Sequence, residues 1–97
     1  MQSMPLVSII CLSYNHEKFV TLALDSVLNQ TYKNIELLIG DDCSPDNSAD
    51  VIEKWLLNHP EIHFTRNRIN RGYTKTFNSI FSKANGDFVI DLAADDI

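Results

Sequence analysis

Two apolar runs in this chain end in adjacent carboxylates. Ile35 to Gly40 leads into Asp41-Asp42, and Phe88 to Ala94 leads into Asp95-Asp96. Two carboxylates side by side repel each other and resist desolvation, so each pair calls for water, hydrogen-bond donors or a cation. Hard oxygen ligands suit Mg²⁺ or Mn²⁺, ions that commonly bridge one or two carboxylates to substrate phosphates. A cation so placed lets an acidic site hold an anionic nucleotide. By spacing alone, a solvated strand-end turn accounts for Asp95-Asp96 equally well.

Other chemistries lack their residues. There is no G-x-G-x-x-G or G-x-x-x-x-G-K-[ST], and three glycines in all leave no phosphate-cradling loop. His16, His59 and His63 lack H-E-x-x-H spacing and read as loop or surface histidines. No G-x-S-x-G elbow marks a serine hydrolase. Cys11 and Cys43 form no metal-spacing motif, and Cys11 sits in an apolar run where a buried free thiol is expected. A net charge of −5 gives no footprint for nonspecific binding to nucleic acid or an anionic membrane. No run of about 18 apolar residues or secretory leader is visible, which leads to an expected cytoplasmic location without a membrane span.

The elements that must position the carboxylates alternate in type. Leu6 to Leu12 is apolar and rich in β-branched residues, as in a strand buried on both faces, and Ser13-Tyr14-Asn15-His16 breaks it. From Glu17 to Asn29, Val20, Ala23, Leu24, Val27 and Leu28 fall at helical spacing. Ile35 to Gly40 is a second strand. Ser44, Asp46 and their neighbours read as loop and cap residues before a helix carrying Val51, Ile52, Trp55 and Leu56, which ends near Asn58 or His59. Ile62 to Thr65 is a short third strand, and Asn67 to Gly72 a polar loop. Phe77, Ile80, Phe81 and Ala84 then predict a third helix closed by Asn85-Gly86 as a C-cap, before a fourth strand from Asp87 to Leu92.

The expected fold class is α/β: an open, mostly parallel four-stranded sheet flanked by three helices, with right-handed crossovers. Ligands of such sheets bind outside the carboxyl ends of the strands. Ser13 to Asn15, Asp41 to Asp46 and Asp95-Asp96 all fall there.

Taken in order, Val7 to Asn15, Ser26 to Tyr32, Asp41 to Ser48, Asn70-Arg71-Gly72 with Asn78, and Ala84 to Val89 leading to Ala94-Asp95-Asp96 resemble the start of a family 2 glycosyltransferase. The resemblance runs along essentially the whole chain. It implies the Rossmann-like half of a GT-A fold over residues 1–97, and inverting, Mn²⁺- or Mg²⁺-dependent transfer of a sugar from a nucleotide-sugar, a UDP-sugar being favoured. It implies that Tyr14 stacks on the base and that Asp42 accepts a hydrogen bond from it, while Asp41 serves the turn. Arg71 and Lys75 are the basic residues nearest the diphosphate, and Asn78 matches an asparagine near the nucleotide. Asp95 corresponds to a carboxylate on the ribose or metal, and Asp96 to one on the metal.

The chain departs from that pattern in three places. Ala93 stands where the acidic motif usually begins with Asp, Leu12 where Thr is usual, and Cys43 where Gly is usual. The resemblance also implies a catalytic base and an acceptor-binding region for a saccharide or lipid-linked saccharide, and neither has a counterpart before Ile97. The chain is therefore expected to hold the donor half of a site and to be inactive alone, with an unprotected sheet edge inviting self-association. Two other classes compete. A noncatalytic nucleotide-binding module is favoured by Ala93. A receiver-type signalling domain needs an acidic pair after the first strand, where Ser13-Tyr14-Asn15 stands instead.

Overall fold

A computed structural model describes residues 4–15, 17–30 and 32–93. Seven elements follow in order: β1 (Val7–Ser13), α1 (Val20–Leu28), β2 (Ile35–Asp41), α2 (Ser48–Leu56), β3 (His63–Arg66), α3 (Tyr73–Phe81) and β4 (Phe88–Ala93). The strands form one parallel sheet in the order β3-β2-β1-β4, so the chain direction across the sheet reverses at β1. This is the expected α/β class with four strands and three helices.

Burial on both faces explains the apolar runs Ile9 to Leu12 of β1 and Leu37 to Ile39 of β2. Ile9, Cys11, Leu37 and Ile39 point to one face, where Val20, Leu24 and Val27 of α1 and Ile52 of α2 cover them. Ile10, Leu12 and Leu38 point to the other, where Ile80 of α3 covers them with Phe77, Ala84 and Val89. The thiol of Cys11 is fully buried as expected, and burial, aided by the charge of Asp91, pushes its pKa up to about 12. No helix among the described residues is long and apolar enough to cross a membrane.

Register brings the strand ends level. Ser13 lies opposite Asp41 and Leu12 opposite Ala93, while Asp41 faces Arg66 on β3. Every strand therefore releases the chain at one edge.

Most element boundaries shift from expectation: β1 and β4 each lie one residue later, β2 runs one residue further to Asp41, and α2 ends at Leu56. Helix α1 starts at Val20, after a turn over residues 17–19, and β3 is displaced one residue to His63–Arg66. The difference at the end of α3 has another cause. Helix α3 stops at Phe81 with Ser82 as its cap, and Asn85-Gly86 is not a left-handed helix terminus. Those residues are held by the sheet instead. Asn85 donates its backbone N–H (2.8 Å) and its side-chain amide (3.0 Å) to Glu36, and Gly86 N–H donates to Ser8 Oγ (2.8 Å), whose hydroxyl donates to Glu36 (2.7 Å). Gly86 is there for space: a Cβ would lie 2.5 Å from Ser8 Oγ and 2.6 Å from Ser8 N. Burial works to raise the pKa of Glu36, but these donors outweigh it and hold the carboxyl below its ordinary range.

Candidate donor site at the carboxyl edge

The loops leaving β1, β2 and β3 are stitched together by carboxylates. Asp41 is fully buried and closes the turn after β2, accepting from Ser44 N–H (2.9 Å) and the Ser44 hydroxyl (2.5 Å). Ser44 Oγ in turn accepts from Asn15 N–H (3.0 Å), which joins the loop after β1 to the loop after β2. Asp46 accepts from Ser48 N–H and Oγ (3.0 and 2.6 Å) and from Glu17 N–H (3.2 Å). It thus caps α2 from just outside it, while Asn47 in the N-cap position makes no side-chain cap bond. Ser44 and Asp46 are therefore the loop and cap residues they were expected to be, and Asp41 serves the turn.

Asp42 does more than the sequence indicated. It is 8 % exposed, and its backbone N–H donates to Ser13 O (3.1 Å). Its carboxylate accepts from Asn67 Nδ2 (3.0 Å), Arg71 N–H (2.8 Å) and Gly72 N–H (2.9 Å). Asn67 Nδ2 also donates to Thr76 Oγ1 (2.9 Å), a hydroxyl buried in α3. Burial works to raise the pKa of Asp42, and the donors from Arg71, Asn67 and Gly72 pull it below the ordinary carboxylate range. The β3–α3 loop is hung on this one side chain.

Backbone strain gathers at the same edge. Asn15 and Cys43 are the non-glycine residues with positive φ among those described (61° and 57°), and Gly72 has φ 87°. The left-handed region costs a side-chain-bearing residue roughly 1–2 kcal/mol. Cys43 occupies that conformation with its thiol donating to Arg68 O (3.5 Å). Ser13 Oγ is buried here without a hydrogen-bond partner among the described residues.

Of the residues singled out from the sequence, Tyr14, Asp42 and Arg71 meet at this edge, with Tyr14 46 % exposed. Lys75 and Asn78 stand on exposed positions of α3, Lys75 in its first turn and Asn78 about one turn further on. Asp95 and Asp96 lie outside the described residues. Among those described, no group of three or more His, Cys, Asp or Glu side chains is arranged to hold a metal ion.

Sequence reasoning missed three residues. Arg66 closes β3 and pairs with Asp50 (3.1 Å) and Glu53 (2.8 Å) of α2, which spends its charge on structure. Tyr73 donates its hydroxyl to Asp91, tying the first turn of α3 to β4, and burial together with Asp91 raises the tyrosine pKa to about 12. Asn67 passed as one polar loop residue among several, because the partners that define it lie 25 and 9 residues away. Together with Asp41, Cys43, Ser44, Arg66 and Arg68 it lines a polar pocket of about 210 Å³ between the ends of β2 and β3.

A parallel sheet with loops converging on the carboxyl edge is the arrangement in which open α/β units bind their ligands. Residues 8–97 match the profile of glycosyl transferase family 2, and the chain belongs to that family. It is 38% identical over 91 residues to an uncharacterized glycosyltransferase of Nostoc sp. (strain PCC 7120), covering 94% of this chain and 28% of the relative. It is 31% identical over 96 residues to chondroitin synthase of Escherichia coli, covering 99% of this chain and 14% of that enzyme. Among solved structures, it superposes with a TM-score of 0.84 on the mannosyltransferase PcManGT from Pyrobaculum calidifontis in complex with GDP-Man and Mn²⁺, at 26% identity over 96% of this chain and 28% of the other. S. aureus TarS 1-349 in complex with UDP-GlcNAc gives a TM-score of 0.79 at 30% identity, over 92% of this chain and 26% of the other. The chain thus spans less than a third of the length of each of these relatives.

Proposed function

We propose that these residues form the donor half of a glycosyltransferase site, which holds a nucleoside-diphosphate sugar at the carboxyl edge of the sheet. The observation that carries this reading is the convergence there of the Tyr14, Asp42 and Asn67–Gly72 segments, with Asp42 as their common anchor. Structural neighbours holding GDP-Man with Mn²⁺ and UDP-GlcNAc support it. In this reading Tyr14 stacks on the base, Asp42 stands at the hydrogen-bonding edge of the base, and Arg71 and Lys75 meet the diphosphate. Asn78 borders the nucleotide. Asp95 and Asp96 serve the ribose and a divalent cation, Mn²⁺ or Mg²⁺, which when bound neutralises the phosphates of donor and leaving group. The complete enzyme transfers the sugar with inversion to an acceptor hydroxyl, on a saccharide or a lipid-linked saccharide at the cytoplasmic side.

Calorimetric titration of the chain with UDP and GDP, with and without Mn²⁺, tests this. Saturable binding that Mn²⁺ strengthens and Asp96→Ala weakens by about tenfold is expected, the loss of a charged contact of roughly 1.5 kcal/mol. Binding equal with and without the metal removes the cation from the reading, and no binding at all removes the donor site.

A further inference from the structure

The two outer strands of the sheet are finished in opposite ways. β3 is four residues long, and its Arg66 is drawn onto Asp50 and Glu53 of α2. Shortness and charge are what keep an edge strand from pairing further. β4, at the other end of the sheet order, has six residues and a single charged one, Asp91, whose carboxylate already takes the Tyr73 hydroxyl.

Apolar side chains gather above and below this edge. Phe88, Ile90 and Leu92 lie opposite Val7, Ile9 and Cys11 of β1, so they share the face that α1 and α2 cover elsewhere. Phe88 and Ile90 are nevertheless at least half exposed. On the other face α3 packs on β1 and β2, and its aromatic ladder of Tyr73, Phe77 and Phe81 is turned towards β4 by the bond from Tyr73 to Asp91. Tyr73 and Phe81 are also at least half exposed. Apolar surface on both sides of an open row of backbone groups is the mark of a sheet ready to continue into a neighbour.

Symmetry and charge limit how a second copy can fit. Phe88 N–H turns to Leu6 O beside β1, and the ladder alternates, so the N–H and C=O groups of Val89 and Asp91 face outwards. Two β4 edges close a dimer only when antiparallel about a two-fold axis. An axis at Val89 would set Asp87 against Asp91 of the second copy, and an axis at Asp91 would set the two Asp91 carboxylates against each other. Like charges directly opposed destabilise a sheet. An axis at Ile90 avoids both. It places Ile90 against Ile90, Phe88 against Leu92, and Val89 against Asp91, where the outward groups exchange their backbone hydrogen bonds.

We infer that this chain pairs with a second copy of itself through β4, antiparallel about an axis at Ile90, in one continuous sheet of order β3-β2-β1-β4-β4-β1-β2-β3. The two carboxyl edges then point in opposite directions. The contact covers neither of them and stands apart from the donor-site reading.

Sedimentation equilibrium of the 97-residue chain tests it, and a dimer is expected. Ile90→Lys brings two ammonium groups together at the axis and should raise the dissociation constant about a hundredfold, with circular dichroism and nucleotide binding unchanged. Residues opposed in a non-hydrogen-bonded antiparallel pair have Cα atoms about 4.5 Å apart, within reach of a disulfide. Ile90→Cys should therefore form a cross-linked dimer with glutathione disulfide as oxidant. Phe88→Cys, which faces Leu92, should not, and the unaltered protein with Cys11 and Cys43 is the control. A monomer at every concentration, open-ended polymers in place of dimers, or a dimer that Ile90→Lys leaves intact overturns the inference. Cross-linking of Phe88→Cys as readily as Ile90→Cys overturns the register and the inference with it.

Discussion

The two ends of this sheet are built with the same device and finished differently. At the amino end, Glu36 gathers Ser8, Asn85 and, through Ser8, Gly86. At the carboxyl end, Asp42 gathers Asn67, Arg71 and Gly72. Each carboxylate holds a loop to a strand by catching N–H donors, and each has its pKa lowered by them. The amino end consumes its polar groups and keeps an ordinary backbone. Among the described residues, the carboxyl end holds all three with positive φ, and Ser13 Oγ there has no hydrogen-bond partner. One end is a clasp, and the other is a clasp with capacity left over. Unspent hydrogen bonds and tolerated strain thus gather at the edge where the donor site is proposed.

The largest effect should come from the clasp that binds nothing. Gly86→Ala drives a methyl group into Ser8 and the Leu6 carbonyl, backbone atoms that cannot turn aside. A loss of about 3 kcal/mol in urea unfolding is expected, with nucleotide affinity of the folded protein unchanged. A change in affinity would mean that the two ends are not independent.

Acid separates the two ends next. Because both carboxyls have folded pKa values below their unfolded ones, their stabilisation is complete above the ordinary carboxylate range near about 4 and is lost as pH falls through the lowered values. Stability measured by urea unfolding should therefore drop on acidification below that range. Glu36→Gln and Asp42→Asn should each flatten part of the drop, and only Asp42→Asn should also weaken nucleotide binding.

The smallest effect concerns strain. Cys43→Gly relieves a left-handed side-chain residue but frees the unfolded chain, so a net gain of only about 0.5 kcal/mol is expected in thermal unfolding. A loss of stability would show that the thiol contact to Arg68 outweighs the strain.

The fold was largely legible because its cause is local. Val7 to Leu12 and Ile35 to Ile39 are apolar except for Ser8 and Glu36, as strands covered on both faces tend to be, and the helices show their buried stripes at regular spacing. Asn85-Gly86 misled for the opposite reason. The dipeptide has the composition of a helix terminus, but a carboxylate 49 residues away claims it. At the site, the aspartates were visible as residue types, and Asp41 serves the turn as expected. The hold of Asp42 on the β3–α3 loop was not visible, since nothing in Asn67-Arg68-Ile69-Asn70-Arg71-Gly72 reveals which N–H groups face a carboxylate on β2. Asn67 has meaning only once Asp42 and Thr76 are in place around it.

Chemical-shift mapping of the ¹⁵N-labelled chain titrated with UDP or GDP and Mn²⁺ bears most directly on the difference between the two ends. Saturable shifts should cluster at Tyr14, at Asp42 to Ser44 and at Asn67 to Gly72, with Ser8, Glu36, Asn85 and Gly86 unmoved. Shifts centred on the amino-end clasp, or no saturable shift anywhere, would contradict the placement of the donor site at the carboxyl edge.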